Sequence, residues 1–116
     1  MTLDELTKLA RKFYGHKGSY MGTHVEDQYI SFLFYDSFHV KFGFDTTNDT
    51  FYASLALSDN YDTHYFSGVN CCQIENNEKD IIDTLDIVDK DLRRRLPKAF
   101  LVKYDFVYRL NNHYLG

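Results

Sequence analysis

Two stretches of alternating residues constrain the fold of this chain more than any other feature. From residue 38 to 45 and again from 51 to 58, apolar side chains occupy every second position, with polar or small residues and one tyrosine between them. Successive side chains of a β-strand point to opposite faces of the sheet, so a period of two predicts strands with one buried and one wet face. The four residues 46–49 then form a hairpin connection, which makes the sheet antiparallel.

Further strands are predicted between residues 19 and 70. Residues 28–35 are apolar on both faces, which predicts a strand that is covered on both sides. Residues 20–25 and 63–69 show weaker alternation and are expected at the sheet edges. The chain contains ten Phe and ten Tyr among 116 residues. Because aromatic residues favour strands, this composition supports a β-meander of four to five strands.

Two helices flank the meander. Thr2 and Glu5 form a capping-box pattern, followed by apolar residues at helical spacing, which predicts a helix over residues 3–14. A second, amphipathic helix is predicted over residues 77–96, capped by Asn76 or Asn77. Pro97 ends it, since the residue before a proline is pushed away from helical angles.

Alternation resumes after Pro97, over residues 100–110, and predicts a C-terminal strand that returns to the sheet. The expected fold class is therefore α+β: an N-terminal helix, the antiparallel meander, the second helix and the returning strand. At 116 residues the chain is expected to form a single domain over 1–116.

Charge is distributed unevenly along the sequence, whose formal net charge is −4. Residues 1–35 are neutral, residues 36–91 carry −9 and residues 92–116 carry +5. Part of this polarity suits the dipole of the second helix, which favours acids in the first turn and cations in the last. The remainder marks a strongly acidic middle segment.

No catalytic motif is present: the chain lacks a phosphate-binding glycine-rich loop, a nucleophile elbow, and the His-Glu-x-x-His and Cys-x-x-Cys patterns. We therefore assign no catalytic residue, metal ligand or cofactor. A small metal- or thiol-dependent enzyme stays open as an alternative, because zinc or a nucleophilic thiol needs few ligands. Its candidate residues are His24, His39, His64, Cys71 and Cys72.

The second helix suggests a protein-binding surface. Four of its five aspartates spread around the face opposite the apolar sector, with one isoleucine among them, and tyrosines follow in the next element. The predicted partner-binding residues are Asp80, Asp83, Asp86, Ile87, Asp89, Tyr104 and Tyr108. These features favour a non-enzymatic, acidic inhibitor of a basic, nucleic-acid-handling partner. The composition, rich in Phe, Tyr, Asn, Asp and Lys, is common in small proteins of bacteria and mobile elements, which include phage anti-defence and immunity proteins.

A nucleic-acid-binding protein is the alternative from a different class. The cations Arg93, Arg94, Arg95 and Lys98 would neutralise phosphates, and nearby tyrosines would stack on bases. A sequence pI of about 5.6 disfavours that interpretation. The acidic N-terminus and the absence of a long apolar run predict a cytoplasmic protein without a membrane partner, and the aromatic sheet would allow a homodimer.

Overall fold

The fold is given by a computed structural model, which describes the backbone of residues 1–115 and the side chains of residues 1–107. Within these described residues, three helices and eight strands follow one another, with a 3-10 turn at Gly15–Lys17 after the first helix. The elements are α1 Leu3–Tyr14, β1 Gly18–His24, β2 Tyr29–Phe34, β3 Phe38–Asp45, β4 Thr50–Ser58, β5 Tyr61–Thr63, β6 Tyr65–Phe66, β7 Val69–Asn70, β8 Ile74–Glu75, α2 Glu78–Arg94 and α3 Lys98–Leu115.

The sheet is an antiparallel meander in which β1 to β5 lie in chain order. The short strand β8 adds to the start of β4, pairing Glu75 with Thr50, while β5 pairs with the end of β4. β6 and β7 form a separate two-stranded hairpin. The predicted hairpin connection at 46–49 and the predicted strand at 20–25 are confirmed by β1, β3 and β4.

The core lies between one face of this sheet and two helices. The aromatic and aliphatic side chains that alternate along β2, β3 and β4 are buried there, together with one face each of α1 and α2. The ring of Tyr14 on α1 packs edge-on against Phe34 at 4.5 Å between centroids, and its hydroxyl donates to the Leu85 carbonyl of α2 at 2.8 Å. The two helices are thereby held side by side on the sheet.

Both predicted helices begin as the caps indicated. The Thr2 hydroxyl accepts from the Glu5 amide, and the Glu5 carboxylate accepts from the Thr2 amide, which completes the capping box. Asn77 caps α2 by accepting from the Asp80 amide at 2.9 Å. The α+β class and the extents of these two helices are confirmed to within two residues.

The strand at 28–35 is shorter and less covered than predicted. It ends at Phe34, and its second face is half-buried at Tyr29, Ser31 and Leu33. Tyr35 and Asp36 both have positive φ angles. The Ser37 amide donates to the Phe34 carbonyl, as in a two-residue hairpin turn. Tyr35 therefore leaves the sheet and does not extend the face that carries Tyr29.

The predicted C-terminal strand is wrong: residues 98–115 form α3. Its first helical hydrogen bond runs from the Leu101 amide to the Pro97 carbonyl at 3.2 Å. Proline suits the start of a helix, where its missing N–H costs nothing, so Pro97 both ends α2 and precedes α3. In this aromatic run the side chains that pack on the core are Leu101 and Tyr104, three residues apart, which is helical spacing.

Candidate protein-binding surface

Four acidic segments meet at one end of the molecule, which we call the acidic end: residues 1–5, 25–28, 45–49 and 74–80. The Phe44 amide donates to the Gln28 carbonyl at 2.9 Å, which joins the β1–β2 turn to the end of β3. The Asn76 side-chain amide donates to Asp49 Oδ1 at 2.9 Å, which joins the start of α2 to the β3–β4 turn. The first residues of α1 share a surface depression with Val25 and Gln28.

The acidic end holds nine carboxylates and one lysine, a formal charge of −8, whereas the whole chain carries −4. Both helices point their N-termini at it, and the partial positive charge of a helix N-terminus stabilises nearby carboxylates. Hydrogen bonds from Thr2, for example, lower the pKa of Glu5. The nine acids are Asp4, Glu5, Glu26, Asp27, Asp45, Asp49, Glu75, Glu78 and Asp80.

A cavity of about 510 Å³ opens beside the acidic end, on the face of the sheet opposite the core. Every residue that lines it comes from a strand or a connection between strands, so the described helices do not cover it. The lining combines carboxylates, tyrosines and one lysine with a histidine and a thiol: Asp27, Tyr29, Lys41, Phe44, Asp45, Thr50, Tyr52, Ser54, Asp62, His64, Cys72 and Gln73.

Lys41 lines this cavity and extends between two of its other side chains. Its ammonium lies 4.9 Å from the centre of the Tyr29 ring and 4.0 Å from Asp62 Oδ2. The buried Ser54 hydroxyl donates to the same Asp62 oxygen at 3.2 Å. Neighbouring strands thus place the Lys41 ammonium between the Tyr29 ring and the Asp62 carboxylate, which the Ser54 hydroxyl holds in position.

Tyr52 forms a second aromatic wall and lies flat over Gly43, its cross-strand partner. A Cβ atom at position 43 would lie 2.6 Å from the Tyr52 hydroxyl oxygen and 2.7 Å from the Gln28 carbonyl, so only glycine fits there. Burial raises the pKa of Tyr52. Its ring meets His64 edge-on at 5.7 Å, and His64 Nδ1 donates to the Ala53 carbonyl at 2.9 Å.

The aspartates predicted on α2 do not form one exposed field. Asp80 belongs to the acidic end and Asp83 is exposed, but Asp86 is paired with Lys90 at 2.8 Å. Ile87 packs against the core and is half-buried, so it is not an isolated surface residue. Asp89 is only 8% exposed.

Asp89 belongs to a partly buried polar network that joins α2 to the 3-10 turn, the β2–β3 turn and α3. Its carboxylate accepts from the Tyr35 hydroxyl at 2.6 Å and from the Lys17 ammonium at 3.1 Å. The Tyr35 oxygen also accepts from Arg93 Nη1 at 3.1 Å, and Arg93 Nη2 donates to Asp105 of α3 at 3.1 Å. Burial, followed by the bond to Asp89, raises the pKa of Tyr35. These bonds make Asp89 part of the structure and remove it from the candidate surface.

The predicted contact tyrosines have different surroundings from those expected. Tyr104 lies on a helix and is half-buried; its ring packs against Tyr35 at 5.3 Å and its hydroxyl donates to the His16 carbonyl at 3.0 Å. The side chain of Tyr108 lies outside the described residues. Tyr104 thus anchors α3 to the body of the protein.

Half of the cations that were predicted to bind nucleic acid are paired with acids of the protein. Arg93 belongs to the network with Tyr35 and Asp105, whose hydrogen bonds raise the pKa of the guanidinium. Arg95 donates to the buried Asp91 at 2.7 Å. Arg94 and Lys98 are exposed. Two of the four cations are therefore engaged by carboxylates of the protein itself.

The histidines and cysteines named as candidate ligands are divided between several places. His64 and Cys72 line the cavity, His24 stacks on Tyr29 at 4.4 Å, and His39 is exposed on β3. Cys71 is buried, and burial raises its pKa to about 11. Among the side chains described, no three His, Cys, Asp or Glu residues are grouped so as to hold a metal ion.

No protein-family model, curated protein or solved structure matches the chain. Within the described residues, no helix combines the length and the apolar character that crossing a membrane requires. The candidate surface therefore rests on this molecule's own geometry and charge.

Sequence reasoning missed the cavity, although a signal for it was present. Tyr29, Lys41 and Tyr52 all occupy the wet positions of their strands, and Gly43 interrupts the polar side chains of β3. Aligning the wet positions of neighbouring strands would have brought these residues together. The register itself, with Gly43 opposite both Tyr29 and Tyr52, was not readable from single strands.

Proposed function

We propose that this protein is a small acidic protein-binding domain that inhibits a basic, nucleic-acid-handling partner by covering its cationic surface. The observation that carries the proposal is the acidic end, where four separate segments bring nine carboxylates together. A surface of this kind attracts a cationic groove in the way that nucleic acid does. Phage anti-defence proteins and immunity proteins are the classes that this mode of action fits.

The charge density supports docking through the end of the molecule. A formal charge of −8 is confined to 21 residues, and the other 95 residues carry +4. Charges on one compact surface act together, because screening at physiological salt has a length of about 8 Å. Such a field accelerates association with a partner of opposite sign.

The contact surface extends from the acidic end in two directions. On one side it continues along α2 through the half-buried Asp80 and the exposed Asp83. On the other side it continues into the open cavity, which shares Asp27 and Asp45 with the acidic end. Carboxylates would steer the encounter, and the tyrosines of the cavity would supply the desolvated contact.

Comparative affinity capture tests this function. Tagged wild-type protein and the Glu26→Lys/Glu75→Lys variant are used to capture proteins from the native host, with identification by mass spectrometry. Both residues are exposed at the acidic end and neither lines the cavity. The matched control is Asp36→Lys/Asp59→Lys, which makes the same charge change in two exposed turns elsewhere.

We expect a basic partner to be retained by the wild type and the control and lost by the Glu26→Lys/Glu75→Lys variant. Equal retention by all three proteins contradicts docking through the acidic end. Selective loss with the control variant would instead place the contact near Asp36 and Asp59, and would also contradict docking through the acidic end.

A further inference from the structure

The cavity on the open sheet face has the charge of a cation site. Three carboxylates line it, those of Asp27, Asp45 and Asp62, against the single ammonium of Lys41. His64 Nδ1 donates to the Ala53 carbonyl. With the imidazole counted as neutral, the lining has a formal charge of −2, which repels phosphates.

The walls of the cavity suit a flat cation. Tyr29 and Tyr52 lie on either side of β3 and both line the cavity, and the end of the Tyr52 ring rests over Gly43. An aromatic face attracts a cation through its quadrupole, and the attraction grows when the cation is partly desolvated. Lys41 already makes such a contact, at 4.9 Å from the Tyr29 ring centre.

Arginine fits this chemistry better than lysine does. Its guanidinium is planar, stacks on aromatic rings and donates two parallel hydrogen bonds to a carboxylate, whereas an ammonium is a strongly hydrated point charge. Lys41 is 4.0 Å from Asp62, a loose ion pair that an incoming guanidinium can replace. The carboxylate of Asp27, in the exposed β1–β2 turn, offers a second acceptor at the cavity rim.

We infer that this cavity receives an arginine side chain of the partner, against the rings of Tyr29 and Tyr52 and the carboxylate of Asp62. The inference rests on the proposed function, because it specifies the residue type by which a basic partner is recognised. The acidic end attracts the basic partner over a distance, and the cavity recognises the arginine side chain.

Nuclear magnetic resonance titration of the full chain with Nα-acetyl-L-arginine amide tests the inference. The matched control ligand is Nα-acetyl-L-citrulline amide, which has nearly the same shape and no charge. We expect the arginine probe to shift the amide signals of Tyr29, Gly43 and Tyr52 in a saturable manner, with a Kd of about 1 mM, the range for a single side chain. The citrulline probe should leave these signals unchanged.

Variants separate the cavity from the general acidity of the protein. Asp62→Asn should weaken arginine binding by about fivefold or more, through loss of a charged acceptor. Asp83→Asn, which makes the same change on α2, should leave the affinity within about twofold. Lys41→Met should strengthen arginine binding by about fivefold, because it removes a competing cation. Lys90→Met on α2 is the control for that change.

Absent or citrulline-like shifts overturn the inference. A loss of arginine binding in Lys41→Met also overturns it. So does a shift of the wild-type signals by uridine monophosphate, since Lys41 would then act as an anion ligand. If the arginine probe fails while the Glu26→Lys/Glu75→Lys variant still loses its partner, the inference falls and the proposed function stands. If the probe binds as expected but capture ignores the acidic end, the proposed function falls alone.

Discussion

Tyr35 combines a rare backbone conformation with complete burial. Its positive φ lies in the left-handed region, which bulky residues seldom adopt and which costs about 1–3 kcal/mol. Its hydroxyl donates to Asp89 and accepts from Arg93, and its ring packs against Tyr104. Because the side chain is held on several sides, the hairpin turn stays in this conformation.

Removal of the Tyr35 hydroxyl tests this account of the turn. Tyr35→Phe leaves Asp89 and Arg93 each without one buried hydrogen-bond partner, so we expect the free energy of unfolding to fall by about 1–3 kcal/mol. Urea unfolding measures the change. Tyr61→Phe serves as the control, because the Tyr61 side chain is largely exposed. Loss of its hydroxyl should cost no more than about 0.5 kcal/mol. Equal stability of the two variants would contradict the network.

Cys71 makes stability depend on alkaline pH. Burial raises the pKa of its thiol from an ordinary 9.0 to about 11, so the unfolded chain releases this proton first. The stabilisation is complete below pH 9 and is lost as the pH rises towards 11. We expect unfolding free energy to fall by about 1–3 kcal/mol over that interval.

Two cysteine variants check the alkaline effect by urea unfolding at several pH values. Cys71→Ala should reduce the slope between pH 9 and pH 11, while Cys72→Ala should keep the wild-type slope. Burial also raises the pKa of Tyr14 and Tyr35 above the ordinary 10.0, which adds the same slope to both variants from about pH 10 upward. A wild-type slope in Cys71→Ala would show that the buried thiol is not the source.

At the scale of elements, the part of α3 whose side chains are described, residues 98–107, is attached to the body by few contacts. Leu101 and Tyr104 pack against the core, and Asp105 pairs with Arg93. Other large side chains of the helix face solvent, including Val102 and Phe106 at 60% and 62% exposure. Over residues 98–107 the attachment therefore depends on a short apolar strip, the Tyr104–His16 hydrogen bond and the Arg93–Asp105 ion pair.

Arg93→Ala tests how far the ion pair orders α3. The pair with Asp105 is about one-third exposed and partly screened, so loss of the bonds to Tyr35 and Asp105 should weaken docking by about 1 kcal/mol. We expect hydrogen exchange of the amides at 101–107 to quicken about fivefold. Arg94→Ala, at the exposed neighbouring position, should leave these rates unchanged. Unchanged rates in both variants would show that apolar packing alone holds the helix.

The elements that could be predicted are those with one unambiguous period. Capping residues and apolar spacing located α1 and α2, and strict alternation located β3 and β4. Residues 98–110 fit both periods, because their many aromatic and aliphatic residues, interrupted by Lys103, Asp105 and Arg109, satisfy a strand and a helix alike. The local pattern could not decide between a helix and a strand. The contacts of Leu101 and Tyr104 with residues distant in the sequence favour the helix.

At the scale of the whole molecule, the fold gathers acidic residues from separate parts of the sequence at one end, the acidic end. The sequence showed an acidic middle segment, but residues 1–35 were neutral overall and gave no sign of contributing. Folding brings Asp4 and Glu5 of α1 and Glu26 and Asp27 of the first turn to the same end. The cations of residues 1–35 lie further along α1 and after it. Such an arrangement follows from topology and could not be predicted from composition.

The rate of association with the captured partner tests the central claim most directly. We expect the wild-type association rate constant to fall at least tenfold between about 20 mM and about 200 mM salt, as electrostatic steering is screened. Glu26→Lys/Glu75→Lys should associate more slowly at low salt and depend less on salt, while Asp36→Lys/Asp59→Lys should follow the wild type. A wild-type rate that ignores salt, or equal rates for both charge-reversed variants, would contradict docking through the acidic end.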